Sequence, residues 1–582
     1  MRRIARGLIA GTGALALVAS VSACTDDADG GPDSSATAST GRISGPEDRL
    51  TVLSAGPVQA WDPQRITQRQ DAGFASRTWM RTLTAYAPAT DLAGQRKLAG
   101  DLASSTGKAN KDATQWTFTL RKGVTWQDGS RVTCEDVRYG VARSFDADIP
   151  SSGYALTFLD IPKKKDGTST YPGPLTKGGT SKASRRLINK AVECTDERTV
   201  VFHLDESVGN FDEVVSLPEF APYKESHEDK DATHDAFSSG PYKLSNGWTP
   251  SSGGTWVRNT AWSQESDPLR TPGPSSILHK EGVEAKDAVE TILDGEDGGR
   301  ALALDPVPSV LGPALDEAGD SVQTVQVDGQ VVDYLAVNTR SKAMRTTTVR
   351  RALADATDRA AYTQARGAAS GTPTWSLLGS ALPSAHESVV DNGPSGDAAQ
   401  ASKRLAEAKV RTPVKISVAY RGGGTMDEAM KALESGWEDA GFEVTLKALG
   451  DEYFTEIGAR KVAEDYDVLW TNWGPDFPSA STVLPPLFDD RINLTKTSVG
   501  RDYGLFADDK VTKAMDKAAG ESDDKKRADQ WSAIDTGLLE DGVYIPLRQT
   551  RLTYAAGTEV TSLTGNPVYG GPPEIGLIGV SR

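Results

Sequence analysis

Cysteine is scarce in this chain: three residues in 582, at positions 24, 134 and 194. That excludes a disulfide-dense scaffold and any zinc centre built on cysteines. Histidine is scarce too, with five residues at 203, 227, 234, 279 and 386. His227 and His234 flank acids in HEDKDATH, which reads as a solvated loop, with a metal site as the alternative; His203 alternates within a strand and reads as structural. Catalytic signatures are missing: there is no GxxxxGK[ST] phosphate loop and no GxSxG nucleophile elbow. Ser105-Thr106-Gly107-Lys108 matches SxxK, but it sits in a polar stretch without a KTG partner. Positive charge is also in deficit. With 64 Lys+Arg against 80 Asp+Glu the formal charge is 64 − 80 = −16, a balance that disfavours nucleic acid as a partner, since phosphate binding needs a basic face. Long apolar runs are confined to the N-terminus, which excludes a multi-span membrane protein. With 38% hydrophobic and 25% charged residues, the chain suits a globular protein with more than one sizeable core.

The N-terminus is an export signal. Arg2, Arg3 and Arg6 precede an apolar run from Leu8 to Val21, a pattern expected of a signal peptide over 1–23. Val21-Ser22-Ala23-Cys24 resembles a bacterial lipobox, which implies that Cys24 is lipidated and becomes the first mature residue. Cleavage would remove three arginines and no acid, leaving 61 − 80 = −19. Residues 24–47, the lipidated Cys and a segment rich in Asp, Ser, Gly, Thr and Pro, cannot bury enough apolar surface to fold and are expected to act as a tether. About two dozen such residues span roughly 25–30 Å r.m.s.. The expected localisation is the extracytoplasmic face of the cell membrane, with two acyl chains on the lipid providing stable anchoring.

Along the body, strands are expected at 50–53, 116–120 and 199–204, and a helix over 71–86. Thr133 reads as an N-cap with Asp136 three positions on. Residues 150–190, rich in Gly, Ser, Pro and Lys, read as a long surface excursion. Beyond 330, strands at 331–337, 414–420, 442–446, 466–471 and 543–547 alternate with helices near 349–356, 426–440, 451–461, 508–519 and 523–540. That alternation implies an α/β fold with a parallel or mixed sheet.

Five segments, in order, resemble the family-5 extracellular solute-binding proteins, the dipeptide, oligopeptide and nickel receptors of ABC importers. They are Trp116–Tyr139 (WTFTLRKGVTWQDGSRVTCEDVRY), Ser239–Leu244 (SGPYKL), Val257-Arg258-Asn259, Asp333–Thr339 with Val349–Leu353 and Asp358-Arg359, and Tyr466-Asp467-Val468 with Trp473–Phe477 (WGPDF). Trp126, Gln127 and Cys134 depart from the family's usual Phe, His and Ala. The resemblance implies a type II, two-lobe periplasmic-binding-protein-like fold joined by a two-strand hinge. Lobe one would span 48–300, with an extra subdomain over about 90–195, lobe two 301–547, and 548–582 would return to lobe one. It also implies a monomeric binder, not an enzyme, with no cofactor and no metal. Its partners would be a peptide or peptide-like ligand and an ABC permease with its ATPase. A same-fold receptor for a nickel chelate, an oligosaccharide or an opine-like solute is the alternative, and a secreted hydrolase or adhesin the more distant one.

By the same resemblance Asp476 accepts a ligand's α-ammonium, Trp473 walls the pocket, Gly474 brings backbone close to the ligand, and the loop at Gly56 and Val58 pairs with the ligand's main chain. Read from the residues alone, Asp476 equally suits a cap for the following turn, and Trp473 a core position. Cys134 and Cys194, the two cysteines left after Cys24, can form a disulfide in an oxidising compartment, with two unpaired thiols as the alternative.

Overall fold

The computed structural model describes residues 48–581, apart from 230, 296 and 387–392. The signal peptide, Cys24 and the tether lie outside the described residues. One mixed sheet of eleven strands runs through the molecule. At its centre lie its two longest strands, Gln323–Val337 and Tyr544–Ala556, paired antiparallel from Gln323 opposite Ala556 to Ala336 opposite Tyr544. The register breaks between Asp328 and Val332. Such a break bends a strand and strengthens its twist. Before it, Tyr544–Ala556 also pairs with Ala301–Ala303 of lobe one. Past it, Gln323–Val337 pairs with Val468–Trp473 of lobe two. The two long strands therefore belong to both lobes and form the hinge of an α/β, two-lobe fold.

In lobe two, Val414–Arg421 pairs in parallel with Phe442–Leu449. A parallel pair needs a crossover, and the helix Thr425–Asp439 supplies it. Met426, Ala429, Met430, Leu433 and Trp437 recur at helical spacing, and all five are buried against the sheet. In lobe one, Arg49–Ser54 runs parallel to Ser276–Glu281 and to Ala301–Ala303. The helix Arg69–Thr78 packs Phe74 among Trp61, Trp256 and His279, at ring separations of 5.0–5.7 Å. It stops eight residues short of the expected 86. The Trp79 carbonyl is taken by the Ser239 and Gly240 amides, and the buried Arg81 turns aside to pair with Asp101 at 2.7 Å.

A four-stranded antiparallel sheet, Lys108–Ala109, Gln115–Thr119, Thr199–His203 and Val192–Asp196, forms the subdomain of lobe one. The helix Cys134–Arg143 begins with a Thr133/Asp136 capping box. The Cys134 and Cys194 sulfurs are bonded, with Cα atoms 5.7 Å apart. His203 meets Glu193 at 3.0 Å.

Two expectations need correction. The 150–190 segment is no mere excursion: it holds the helices Tyr154–Phe158 and Lys182–Ala191 and buries Ile161 and Tyr171 in the subdomain core. A few apolar anchors and the Glu219 carboxylate, which accepts from the Tyr154 and Ala155 amides, order a stretch whose composition reads as loop. Nor does the chain leave lobe one at 300. Ala301, Ala303, Val307, Leu315 and Val322 still pack with Leu53, Val289 and Ile292. The crossing lies at the register break, 328–332.

Candidate functional site

Strand Val468–Trp473 ends at the hinge, with Trp473 opposite Val332. The chain then enters a short loop, Gly474-Pro475-Asp476-Phe477, between the lobes. Thr482 fixes this loop from within lobe two: its hydroxyl accepts from the Asp476 amide at 3.2 Å and its carbonyl from the Trp473 indole N–H at 2.9 Å. Lobe one closes on the loop from the other side. The Tyr154 hydroxyl donates to Asp476 Oδ2 at 2.6 Å, and the Tyr154 ring lies 5.8 Å from that of Phe477. Phe477, 3% exposed, is buried in the subdomain core although it belongs to lobe two. Arg69, at the start of its helix, donates to the Gln330 side chain on the hinge strand and to the Pro475 carbonyl. Asn210 donates to Ser479 Oγ at 3.2 Å.

Asp476 is therefore a carboxylate held between lobes. The residue is exposed to solvent, while the packed loop and the facing lobe desolvate its carboxyl in part. That environment raises its pKa above the ordinary 3.8, against the opposing pull of the Tyr154 hydroxyl and the nearby Arg69 and Arg501. It does not cap the following turn. Ala480–Thr482 is capped by Ser479, whose hydroxyl accepts from the Ser481 amide. A charge-bearing acceptor with a single hydroxyl partner retains lone pairs for a cationic or N–H-bearing ligand.

The other expected residues divide. Trp473 is half-buried beside Asp476, with the Arg501 guanidinium 5.5 Å from its ring centroid. At Gly474 the close neighbour is Arg69: an added Cβ would stand 2.9 Å from its Nη2, so the glycine leaves room for the arginine. Val58 is buried and its backbone is committed, the amide to Glu281 at 2.9 Å and the carbonyl to the His234 ring at 2.9 Å. In this arrangement the Val58 amide is taken by Glu281, while its carbonyl uses one of its two lone pairs on the His234 ring. Gly56 is exposed, with open space around it. His234 thus ties down a loop, and among the described residues no cluster of His, Cys, Asp and Glu could hold a metal ion.

Residues 97–494, more than half of the chain, match the family model of the bacterial extracellular solute-binding proteins, family 5. The chain belongs to that family. Among curated relatives of this solute-binding protein, the probable D,D-dipeptide-binding periplasmic protein DdpA of Escherichia coli K12 is 22% identical over 541 residues, covering 90% of this chain and 92% of DdpA. The oligopeptide-binding protein OppA of Bacillus subtilis 168 is 22% identical over 438 residues, covering 72% and 74%. Among solved structures, clavulanic acid biosynthesis oligopeptide binding protein 2 superposes with a TM-score of 0.79 at 25% identity, covering 92% of this chain and 96% of that one. The unliganded open form of the murein tripeptide-binding protein MppA gives a TM-score of 0.73 at 18% identity, covering 91% and 97%. This solute-binding protein has, among its described residues, no helix long and apolar enough to cross a membrane.

Sequence reasoning missed Tyr154, Arg69 and Arg501. Arg69 carried a readable signal: a cation at a helix N-terminus opposes the helix dipole, so it needs another reason to be there. Tyr154 carried none, because only the fold brings residue 154 to residue 476.

Proposed function

We propose that this family-5 protein is a lipid-anchored receptor of an ABC importer. It captures peptides or peptide-like solutes between its lobes and delivers them to a membrane permease. One observation carries the reading: Asp476, an incompletely hydrated carboxylate between the lobes, is bonded across the cleft to the Tyr154 hydroxyl alone. A peptide α-ammonium offers three donors and a full charge, so it can displace or share that hydroxyl and gain a charge-assisted bond. The peptide-binding names of DdpA and OppA support the same ligand class. Cys24 would carry the lipid and 25–47 would be the leash. The hinge strands would allow lobe closure around the ligand.

The test is a thermal-unfolding screen of the delipidated mature protein against mixed di- to pentapeptides, nickel chelates and oligosaccharides. A ligand at a hundred times its Kd adds about 2.7 kcal/mol to stability. Stabilisation by peptides alone is the expected result. Stabilisation only by a nickel chelate or a sugar would replace the peptide reading with the alternative receptor.

A further inference from the structure

Positive charge is gathered on the subdomain of lobe one. Residues 160–190 hold eight Lys and Arg against two Asp, 8 − 2 = +6, in a chain whose formal charge is −16, so the remainder carries −16 − 6 = −22. The fold joins these charges into one surface. A hairpin over 162–170 is closed by the Thr170 amide on the Pro162 carbonyl, at 2.8 Å, and carries Lys164 and Lys165 at its turn. The helix Lys182–Ala191 buries Ile188 and Ala191 in the subdomain core and leaves Lys182, Arg185, Arg186 and Lys190 exposed. Hairpin and helix are tied together. Lys190 Nζ meets Asp160 Oδ2 at 2.7 Å, just before the hairpin, and Arg185 acts on the buried Tyr171, just after it. Ser184 Oγ donates to the Gly178 carbonyl at 2.8 Å, which seats the loop bearing Lys177 against the first turn of the helix.

The surface is not neutralised from within. Lys163 pairs with Asp205 at 2.9 Å and Lys190 with Asp160. The other acid of the segment, Asp166, accepts from the Thr168 amide and hydroxyl at 3.0 and 2.7 Å. Among the described residues no carboxylate lies within ion-pair reach of Lys164, Lys165, Lys177, Lys182, Arg185 or Arg186. Exposed helices elsewhere in the chain differ: Lys286, Lys403 and Lys525 each meet an acid four residues on. The helix Lys182–Ala191 contains no acid, and its first turn opens with Lys182 and closes with Arg185, where cations oppose the helix dipole. Local stability therefore does not account for these charges, and six unpaired cations on one surface are complementary to an anionic partner. They are spread over a hairpin turn, a loop and a helix, so they suit a broad anionic surface better than one small anion.

We propose that this patch is a docking site for an anionic phospholipid surface, with its six unpaired cations on the headgroup phosphates. The remainder of the chain, at −22, is repelled by such a surface, which restricts contact to the patch. The Debye length, about 8 Å at physiological ionic strength, confines the attraction to the groups that touch. A lipid on Cys24 and a leash of roughly 25–30 Å would hold the body beside a bilayer at high effective concentration. Docking seats lobe one by its subdomain. The same excursion carries Tyr154 to Asp476, so docking also sets how the cleft is held relative to the bilayer. The proposal takes its setting from the lipid-anchor reading of Cys24, but the affinity belongs to the folded patch alone.

The test is sedimentation of the unlipidated mature protein with vesicles of equal parts phosphatidylglycerol and phosphatidylcholine, against vesicles of phosphatidylcholine alone. Binding to the anionic vesicles only is expected. It should fall steeply between about 10 mM and 0.15 M salt, as the Debye length shortens from about 30 to about 8 Å. A basic residue near such a surface is worth about fivefold in affinity. Lys164→Gln/Lys165→Gln and Arg185→Gln/Arg186→Gln should therefore each weaken binding by about tenfold or more. Lys342→Gln/Arg345→Gln, which neutralises exposed bases of lobe two, should leave it unchanged. All six side chains are exposed, and urea midpoints matching wild type check that the variants fold. No binding to anionic vesicles at about 10 mM salt overturns the proposal. So does binding that the lobe-two variant weakens as much as the patch variants do. So does binding to soluble polyphosphate with none to vesicles, which would assign the patch to a charged polymer. The protein tested carries no lipid, so failure here leaves the Cys24 reading standing, and failure of the Cys24 reading would leave vesicle binding in place.

Discussion

Replacing Asp476 with Asn keeps the shape of the side chain and an oxygen acceptor but removes the charge. In the empty protein the consequence is small. The Tyr154 hydroxyl, now 2.6 Å from Oδ2, can still donate to the amide oxygen. The site also stops confining a poorly hydrated charge whose pKa is raised by its surroundings. Stability should therefore change by less than about 1 kcal/mol, the scale of exchanging a charged for a neutral hydrogen bond. With peptide bound the balance differs, because ligand ammonium and carboxylate lose water together and only their pairing offsets that cost. Breaking such a pair costs about 2–4 kcal/mol, or roughly 30- to 800-fold in Kd. N-acetylating the peptide removes the other partner and should cost a similar amount. Calorimetry on wild type and Asp476→Asn, with free and acetylated peptide, closes a double-mutant cycle. Groups in direct contact give a combined loss well short of the sum. Fully additive losses would refute the ammonium-anchor role. Acid should act in the same direction. The ammonium needs an ionised carboxylate, and Asp476 sits above 3.8, so binding should start to weaken on acidification at a higher pH than an ordinary aspartate would allow.

Cys24→Ser should leave the precursor unprocessed or release the protein from membranes; normal cleavage with retained membrane association, read by detergent partitioning, would contradict the lipoprotein reading. The Cys134–Cys194 bond closes a loop with a sequence separation of 60 residues. In the chain-entropy model a loop of that length is worth about 4 kcal/mol. Cys134→Ser/Cys194→Ser should therefore unfold at markedly lower urea, and two reactive thiols in the unreduced, denatured, unlipidated chain would show the bond does not form. Asp71 is pushed up to about 7, first by burial and then by Asp305 and Glu281. An acid whose folded pKa is raised favours folding only while protonated, so its contribution is fully present below pH ~4 and lost as pH rises through ~7. Asp71→Asn should remove that loss and add at most about 4 kcal/mol at pH 8 while changing little at pH 4; equal pH slopes in urea unfolding would discount the assignment.

Much of the architecture was legible in the residues because local chemistry and the final fold agree there. The apolar spacing from Met426 to Trp437 fits one helix face, and the Thr133/Asp136 pair caps a helix wherever that helix packs. Composition failed where a few anchors outweighed it. The Gly- and Ser-rich 150–190 segment folds because Ile161, Tyr171 and the Glu219 carboxylate hold it. Boundaries failed where a strand continues through two lobes, since nothing in a run of alternating residues marks the point at which its partners change. Within the site, Asp476 was nameable from the motif around it. Its partner, its field and its exposure were not, because Tyr154 lies 322 residues away and Arg69 407. A sequence states which groups can carry charge or donate a proton. Which of them meet, and how well water hydrates them once they do, is set by long-range packing, and that alone put Tyr154 and Arg69 at Asp476.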